Sequence, residues 1–386
     1  MSDRRDEHDL HLMGRALELA AKGLGETNPN PVVGCVIATG RRVVGEGRHR
    51  RAGGPHAEVE ALARAGSRAR GATLYVNLEP CAHQGRTPPC APLVRDSGVV
   101  RVVAALRDPN RLVAGRGLAL IRRAGVKVAT GVLAPEAARL NERFLVAARS
   151  GRPFVLLKAA QTLDGRIATA SGHSKWITSV AERRQARWLR RLHDAVLVGI
   201  ETVLADDPLL LPSPRTTRSF LRVVLDSHLR LPAGGRLARS ARPATPVLVV
   251  ATRAVPSRRR ELEDAGVEVV DAVAASPGGR VSLEGVLDAL WDRGIMSVMV
   301  EGGSEVLGSF LAARLVDQVA LFRAPLLLGG RGSRPVFGGP DPASIGDALR
   351  VRPVPDGPSF PWPWPPRFEL WAPDRGSGWR RSAPRG

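Results

Sequence analysis

The 386-residue chain carries three cysteines, Cys35, Cys81 and Cys90, too few for a disulfide framework at this length. No uninterrupted apolar stretch reaches roughly 18 residues, so no membrane-spanning helix is expected. The first residues, MSDRRDEHDLHLM, are charged and lack the apolar run of a secretory signal. Lysine is scarce as well: Lys22, Lys127, Lys158 and Lys175 are four of 57 basic residues, and the rest are arginine. Together these features point to a soluble cytoplasmic protein without a membrane partner. The formal net charge of +20 would alone suggest nucleic acid. The arginines, however, are scattered through loops and the C-terminal segment instead of forming a stripe, so no nucleic-acid partner is expected.

The length suits two domains of about 100–200 residues. Over residues 8–147, helical and strand patterns alternate. Leu10–Lys22, His56–Ala65, Gly117–Ala124 and Pro135–Ala148 have helical apolar spacing. Val32–Ile37, Val43–Gly47, Thr73–Val76, Val99–Ala104 and Val126–Ala129 read as strands, the first two joined by a turn at Thr39–Arg41. Such alternation predicts an α/β layered domain with a largely parallel sheet. Ser150-Gly151-Arg152-Pro153 reads as a linker. A second α/β series follows, with valine-rich runs at Phe154–Ala159, Ala195–Val198, Leu221–Leu225, Val247–Val250, Val267–Val270 and Ile295–Val300. Helices are expected at Ala181–Leu192, Arg258–Ala265, Ser282–Arg293 and Glu305–Arg314. The expected domains are therefore residues 1–150 and 151–352. Residues 353–386 form a Pro/Trp/Arg-rich tail in which RFELWAP offers one edge strand before a disordered end.

Three residue types suited to zinc occur close together: His56 in PHAEVEAL, and Cys81 and Cys90 in EPCAHQGRTPPC. Three nitrogen or sulfur ligands leave a fourth position for water, the mark of a catalytic zinc site. Zinc lowers the pKa of that water toward neutrality. Glu58, two residues after His56, suits a proton shuttle. His-x-Glu followed by Pro-Cys is the pattern of zinc nucleobase deaminases, although there the cysteines are two residues apart and here eight residues separate them. Cys35, within VVGCVI, reads as a buried structural thiol.

The segments TNPNPVVGCVI, GGPHAEVEAL, LEPCAHQGRTPPC and DPNRLVAGRGL resemble a known family. It is the bifunctional riboflavin-biosynthesis family, a diaminohydroxyphosphoribosylaminopyrimidine deaminase fused to a 5-amino-6-(5-phosphoribosylamino)uracil reductase. The long loop between the cysteines is typical of it. The resemblance implies a cytidine-deaminase-like three-layer domain with zinc on His56, Cys81 and Cys90, Glu58 as proton shuttle and Asn30 against the pyrimidine. It also implies that His83 and Gly85-Arg86-Thr87 line the pocket. Asn28 and Asn30 equally suit turns beside prolines.

In the second half, VMVEGGSEVLGSFL reads as strand, glycine turn and helix, a geometry that aims backbone N–H groups at a phosphate. It is not the dinucleotide fingerprint. KAAQTLDGRIATASGHSKWITS, HDAVLVGIETVLADDPLL and VVLDS resemble the reductase half of the same family. That half is dihydrofolate-reductase-like and uses NADPH. The resemblance implies NADP contacts at Ala160, Trp176, Thr202, Asp206, Ser227 and the run Gly303, Ser304, Glu305, Val306, Leu307, Gly308 and Ser309. It implies substrate contacts at Ser174, Arg190, Leu210 and Glu301. Lys158 suits the ribose hydroxyls. After ADDP the family commonly has LTVR, whose arginine helps hold the phosphate. Here the segment is LLLPSPR, which makes Arg215 the expected replacement. The expected substrate is a pyrimidine ribotide, and deaminase-type domains commonly associate, so a homo-oligomer is expected.

Two rivals differ in kind. A polynucleotide (tRNA) deaminase with an unrelated second domain would use the basic charge but not a hydride-transfer site. A zinc-stabilised structural module would need four closed ligands and no acid–base group such as Glu58.

Overall fold

The computed structural model describes residues 2–84, 88–109, 114–272, 279, 281–355 and 366–374. The chain divides into two compact units, Met1–Arg149 and a second one that begins at Ser150. Among the described residues, no helix is long and apolar enough to cross a membrane.

The first unit runs α1 (Ser2–Ala21), β1 (Gly34–Thr39), β2 (Arg42–Arg48), α2 (Ala57–Ala65), β3 (Thr73–Leu78), α3 (Cys90–Asp96), β4 (Arg101–Leu106), α4 (Arg116–Arg123), β5 (Lys127–Thr130), α5 (Ala134–Leu140) and α6 (Glu142–Ser150). Its five strands lie in the order β2-β1-β3-β4-β5. Alternate residues along each strand point to opposite faces. Ile37, Leu74, Val76 and Val102 pack with Ala57 and Ala61 of α2, Val94 of α3 and Ile121 of α4. Val36, Tyr75 and Val103 pack with Leu12 and Ala16 of α1 and Leu140 of α5. The result is a three-layer α/β/α unit.

The largely parallel sheet expected here is instead mixed. β1 pairs antiparallel with both β2 and β3, and only β3–β4 and β4–β5 are parallel. The two-residue connection between Thr39 and Arg42 leaves room for a hairpin but not for a crossover. The single helix expected at Pro135–Ala148 is two helices, α5 and α6, interrupted at Asn141. There the buried Asn141 amide accepts from Val32 N and donates to Val32 O, at 2.9 and 3.0 Å. Its side chain thus replaces part of a strand partner for that backbone.

The second unit runs β6 (Phe154–Thr162), β7 (Arg166–Ala168), α7 (Val180–Arg191), β8 (Ala195–Gly199), α8 (Ile200–Asp206), β9 (Leu221–Leu225), α9 (Arg236–Arg239), β10 (Val247–Ala251), α10 (Pro256–Asp264), β11 (Glu268–Asp271), α11 (Leu283–Asp292), β12 (Ser297–Gly302), α12 (Ser304–Ala312), β13 (Gln318–Ala324), β14 (Arg334–Pro335), β15 (Val351–Pro353) and β16 (Glu369–Pro373). Nine strands form one sheet in the order β11-β10-β9-β8-β12-β6-β13-β16-β15. The seven from β11 to β13 are parallel, and β16 and β15 add antiparallel. Both faces of the parallel part are covered, one by α11 and α12 and the other by α8, α9 and α10. That explains valine-rich strands without polar alternation. RFELWAP does return as a strand, but not at the edge. β16 lies between β13 and β15, because Val351–Pro353 pairs along its outer side.

Candidate active sites

In the first unit, two glycines on β2 set the site. A Cβ at Gly45 would lie 2.3 Å from Ala61 O, and one at Gly47 would lie 2.1 Å from Ala57 O. Their lack of a side chain lets α2 lie directly on β2. His56 is the N-cap of α2 and Glu58 sits in its first turn. Cys81 lies in the loop after β3, and Cys90 opens α3 behind Pro89. The ligand atoms of His56, Cys81 and Cys90 all lie within 4.8 Å of one another. His56 Nδ1 is 3.6 Å from Cys81 Sγ and 3.2 Å from Cys90 Sγ, and Cys90 N donates to Cys81 Sγ at 3.3 Å. One imidazole and two thiols converging in this way fit zinc with one open position.

The electrostatics agree with that fit. The hydrogen bond from Cys90, with His56 beside it, brings the Cys81 thiol down to about 4. Thiolate character is what a metal ligand needs. Burial pushes Glu58 up to about 7, so its carboxyl can hold or release a proton near neutrality. Cys35 is fully buried in the core and lies outside the ligand group.

His56, Glu58 and Cys81 face a cavity of about 370 Å³ whose wall also includes Asn30, His49, Glu79, His83 and Asp108. The loop residues 85–87 lie outside the described residues. His49 and Glu79 carry no role in the sequence reading. Asn30 Nδ2 donates to His49 Nε2 at 3.1 Å, and His49 Nδ1 donates to Pro55 O at 3.0 Å. This chain fixes the His49 tautomer and turns the Asn30 oxygen away from His49. Burial lowers the His49 pKa, which favours that neutral acceptor form. Glu79 accepts from the backbone N–H groups of Asp108, Gly115 and Leu118 at 3.2, 2.9 and 3.1 Å. It thereby holds the β4–α4 connection beside the cavity. A lone histidine or glutamate gives no spacing signal; both roles arise only from tertiary contact.

In the second unit, Glu301 near the end of β12 accepts two hydrogen bonds from the Arg190 guanidinium of α7, one of them at 2.9 Å. Lys158 Nζ on β6 is 3.7 Å from the same carboxylate. Burial lowers the Lys158 pKa against the pull of Glu301. Thr202 Oγ1, on α8, donates to Gly302 O at 3.2 Å, which ties α8 to the β12–α12 turn. Gly303 enters that turn at φ 75°, and Ser304 Oγ is buried without a hydrogen-bond partner among the described residues, at the start of α12. A hydroxyl so placed at a helix N-terminus after a glycine turn fits a phosphate group.

Other candidates are more dispersed. Ala160 is on β6, and Ser174 and Trp176 are on the β7–α7 connection. Trp176 is exposed and stacks under Arg183 at 4.2 Å. Lys175 pairs with Asp206 at 2.7 Å. Ser227 follows β9, and its carbonyl accepts from Arg253 N at 2.9 Å. Arg215 is exposed on the α8–β9 connection. The Leu210 side chain is buried in the core, so a ligand contact there would come from its main chain, which has φ 55°. Within the 303–309 run, Glu305 is exposed and Val306 packs against the core. Leu307 is a core residue and Gly308 meets Gly338. The Ser309 hydroxyl bonds back to Glu305 O at 2.7 Å.

The first unit thus has the architecture and ligand set of a zinc deaminase. Residues 6–106 match the cytidine and deoxycytidylate deaminase zinc-binding region, and residues 153–354 match the RibD C-terminal domain. The chain is 44% identical over 321 residues to the riboflavin biosynthesis protein RibD of Bacillus amyloliquefaciens, covering 83% of this chain and 85% of that one. It is 42% identical over 334 residues to RibD of Escherichia coli, covering 83% and 89%. Among solved structures, Acinetobacter baumannii RibD superposes with a TM-score of 0.83 at 36% identity, covering 96% of this chain and all of that one. A Thermotoga maritima diaminohydroxyphosphoribosylaminopyrimidine deaminase/5-amino-6-(5-phosphoribosylamino)uracil reductase does so with a TM-score of 0.80, at the same identity and coverage.

The chain belongs to the RibD family of riboflavin biosynthesis, which joins a pyrimidine deaminase to a reductase. The polynucleotide deaminase with an unrelated second domain is set aside by the match over residues 153–354. The purely structural zinc module is set aside by the family's enzymatic character.

Proposed function

We propose that this enzyme deaminates 2,5-diamino-6-(5-phosphoribosylamino)pyrimidin-4(3H)-one and then reduces the ribosyl chain of the product with NADPH. The observation that carries the first step is the convergence of His56, Cys81 and Cys90 within 4.8 Å of one another, beside a cavity lined by His56, Cys81 and Glu58. Zinc held by these three ligands supplies a water acidified toward neutrality. Glu58 takes a proton from the attacking water and passes it to the ring nitrogen and the departing amine, so that water enters and ammonia leaves. The Asn30 oxygen, oriented through His49, accepts from the pyrimidine.

The second step belongs to the cluster at β6, α7 and β12. NADPH supplies the hydride. Ala160, Trp176, Thr202, Asp206, Ser227 and the Gly303–Ser309 turn contact that cofactor, and the unpaired Ser304 hydroxyl supports the reading. Lys158, Ser174, Arg190, Leu210 and Glu301 orient the ribotide. Residues 1–150 carry the deaminase and 151–352 the reductase, with no chemistry assigned to 353–386. The reading extends to a homo-oligomeric enzyme of the cytoplasm, open to sizing of the purified protein and to cell fractionation.

The test measures ammonia release and NADPH oxidation separately on the purified chain, with and without a zinc chelator. The chelator is expected to abolish ammonia release while NADPH oxidation on already deaminated ribotide persists. Undiminished ammonia release after verified zinc removal would contradict the assignment.

A further inference from the structure

Reading the second unit as a ribotide reductase leaves the substrate phosphate without an assigned partner, and the cations around Glu301 narrow the choice. Arg190 is committed to Glu301 and to Leu211 O, the latter at 3.0 Å. Lys158 faces the same carboxylate, and Lys175 pairs with Asp206. Arg183 donates to Thr178 O and covers the Trp176 ring.

Helix α7 spaces three of its arginines at 183, 187 and 190, the i, i+4, i+7 positions of one helical face. Contacts at both ends fix where that face points: Arg183 toward Trp176 and Arg190 toward Glu301. Arg187 lies between them. It is only partly exposed, and its guanidinium makes no hydrogen bond or ion pair with a described residue. Its carbonyl accepts from Ser213 N at 3.1 Å, so the segment whose Leu211 carbonyl binds Arg190 also runs alongside Arg187. Like charges one helical turn apart repel unless an anion bridges them. A guanidinium left unpaired in such a row suits bidentate binding of a phosphate.

We propose that Arg187 holds the 5-phosphate of the ribotide in the reductase half and sets its preference for phosphorylated substrate. The proposal rests on the reductase reading above. Arg215, the replacement offered by sequence, is exposed beyond Pro214 and is not part of this face.

The test compares NADPH oxidation by the full chain on 5-amino-6-(5-phosphoribosylamino)uracil and on its dephosphorylated ribosyl counterpart. In the parent, kcat/KM favours the phosphorylated compound. Arg187→Ala is expected to lower kcat/KM for that compound about 10- to 100-fold, mainly through KM, the loss of a hydrogen bond to a charged group. It should leave the dephosphorylated compound unchanged, so that the preference collapses. Arg187→Lys should recover part of it, and Arg215→Ala should keep it. An unchanged rate on the dephosphorylated compound also reports an intact fold. A preference retained in Arg187→Ala, or lost in Arg215→Ala, overturns the proposal. If the parent oxidises NADPH with neither compound, the reductase reading itself fails, and the proposal with it.

Discussion

Replacing Glu301 by alanine should strand two cations. Among the described residues its carboxylate is the partner of both Arg190 and Lys158, and the side chains are 8%, 14% and 15% exposed, respectively. Little water is available to screen what remains. Removing one member of a buried ion pair costs about 3–5 kcal/mol, because the remaining charge is left uncompensated. For a unit of roughly 200 residues, each kcal/mol moves the unfolding midpoint by about 2–4 °C. The expected fall is therefore about 6–20 °C for the second unit's transition in calorimetry of the full chain. Glu301→Gln keeps the shape and an acceptor oxygen, so it should fall less. Adding Lys158→Met to Glu301→Gln should restore part of the loss by removing one of the stranded charges. A midpoint within about 2 °C of the parent for Glu301→Ala would refute the reasoning. It would mean that solvent or a bound anion, not Glu301, neutralises the cluster.

Two further substitutions probe the fold. Burial raises the Asp9 pKa, but hydrogen bonds from Arg101 and Tyr75 outweigh it and hold the carboxyl below its ordinary 3.8. A depressed carboxylate stabilises the fold above the unfolded pKa and loses that contribution as pH falls through the folded one. Asp9→Asn should lower the midpoint at neutral pH and flatten its decline below about pH 4, as followed by thermal unfolding across pH. At Gly308, an added Cβ would lie 1.7 Å from Gly338 O. Gly308→Ala should therefore displace the segment that follows β14, destabilise the second unit by about 1–3 kcal/mol and weaken NADPH use while ammonia release is retained. Calorimetry and the two activity assays check this.

The readability of the chain varied with the kind of signal. His56, Cys81 and Cys90 could be grouped from sequence because their side chains carry the chemistry themselves, and the structure brings their ligand atoms together. Most strands were visible as short valine-rich runs. β13 was not. Its residues, QVALFRA, lead into Pro325 and the exposed Leu326, Leu327 and Leu328, which blur the strand's end. The break at Asn141 was hidden because it depends on a backbone 109 residues away. The same holds for Glu79, whose three backbone partners begin 29 residues downstream. In the reductase half, resemblance supplied residue names without directions. The burial of Leu210 and Leu307, and an Arg187 guanidinium with no partner among the described residues, needed the packed helix and sheet.

The central claim is that one chain carries two separable chemistries, with Glu58 serving only the first. The most direct measurement gives purified parent and Glu58→Ala proteins the diaminopyrimidinone ribotide and, separately, its deaminated product, and follows ammonia and NADPH in each. Glu58→Ala should release no ammonia, leave NADPH untouched with the first compound, and oxidise it at the parental rate with the second. Ammonia release at the parental rate from Glu58→Ala, or loss of NADPH oxidation on the deaminated compound, would contradict the account.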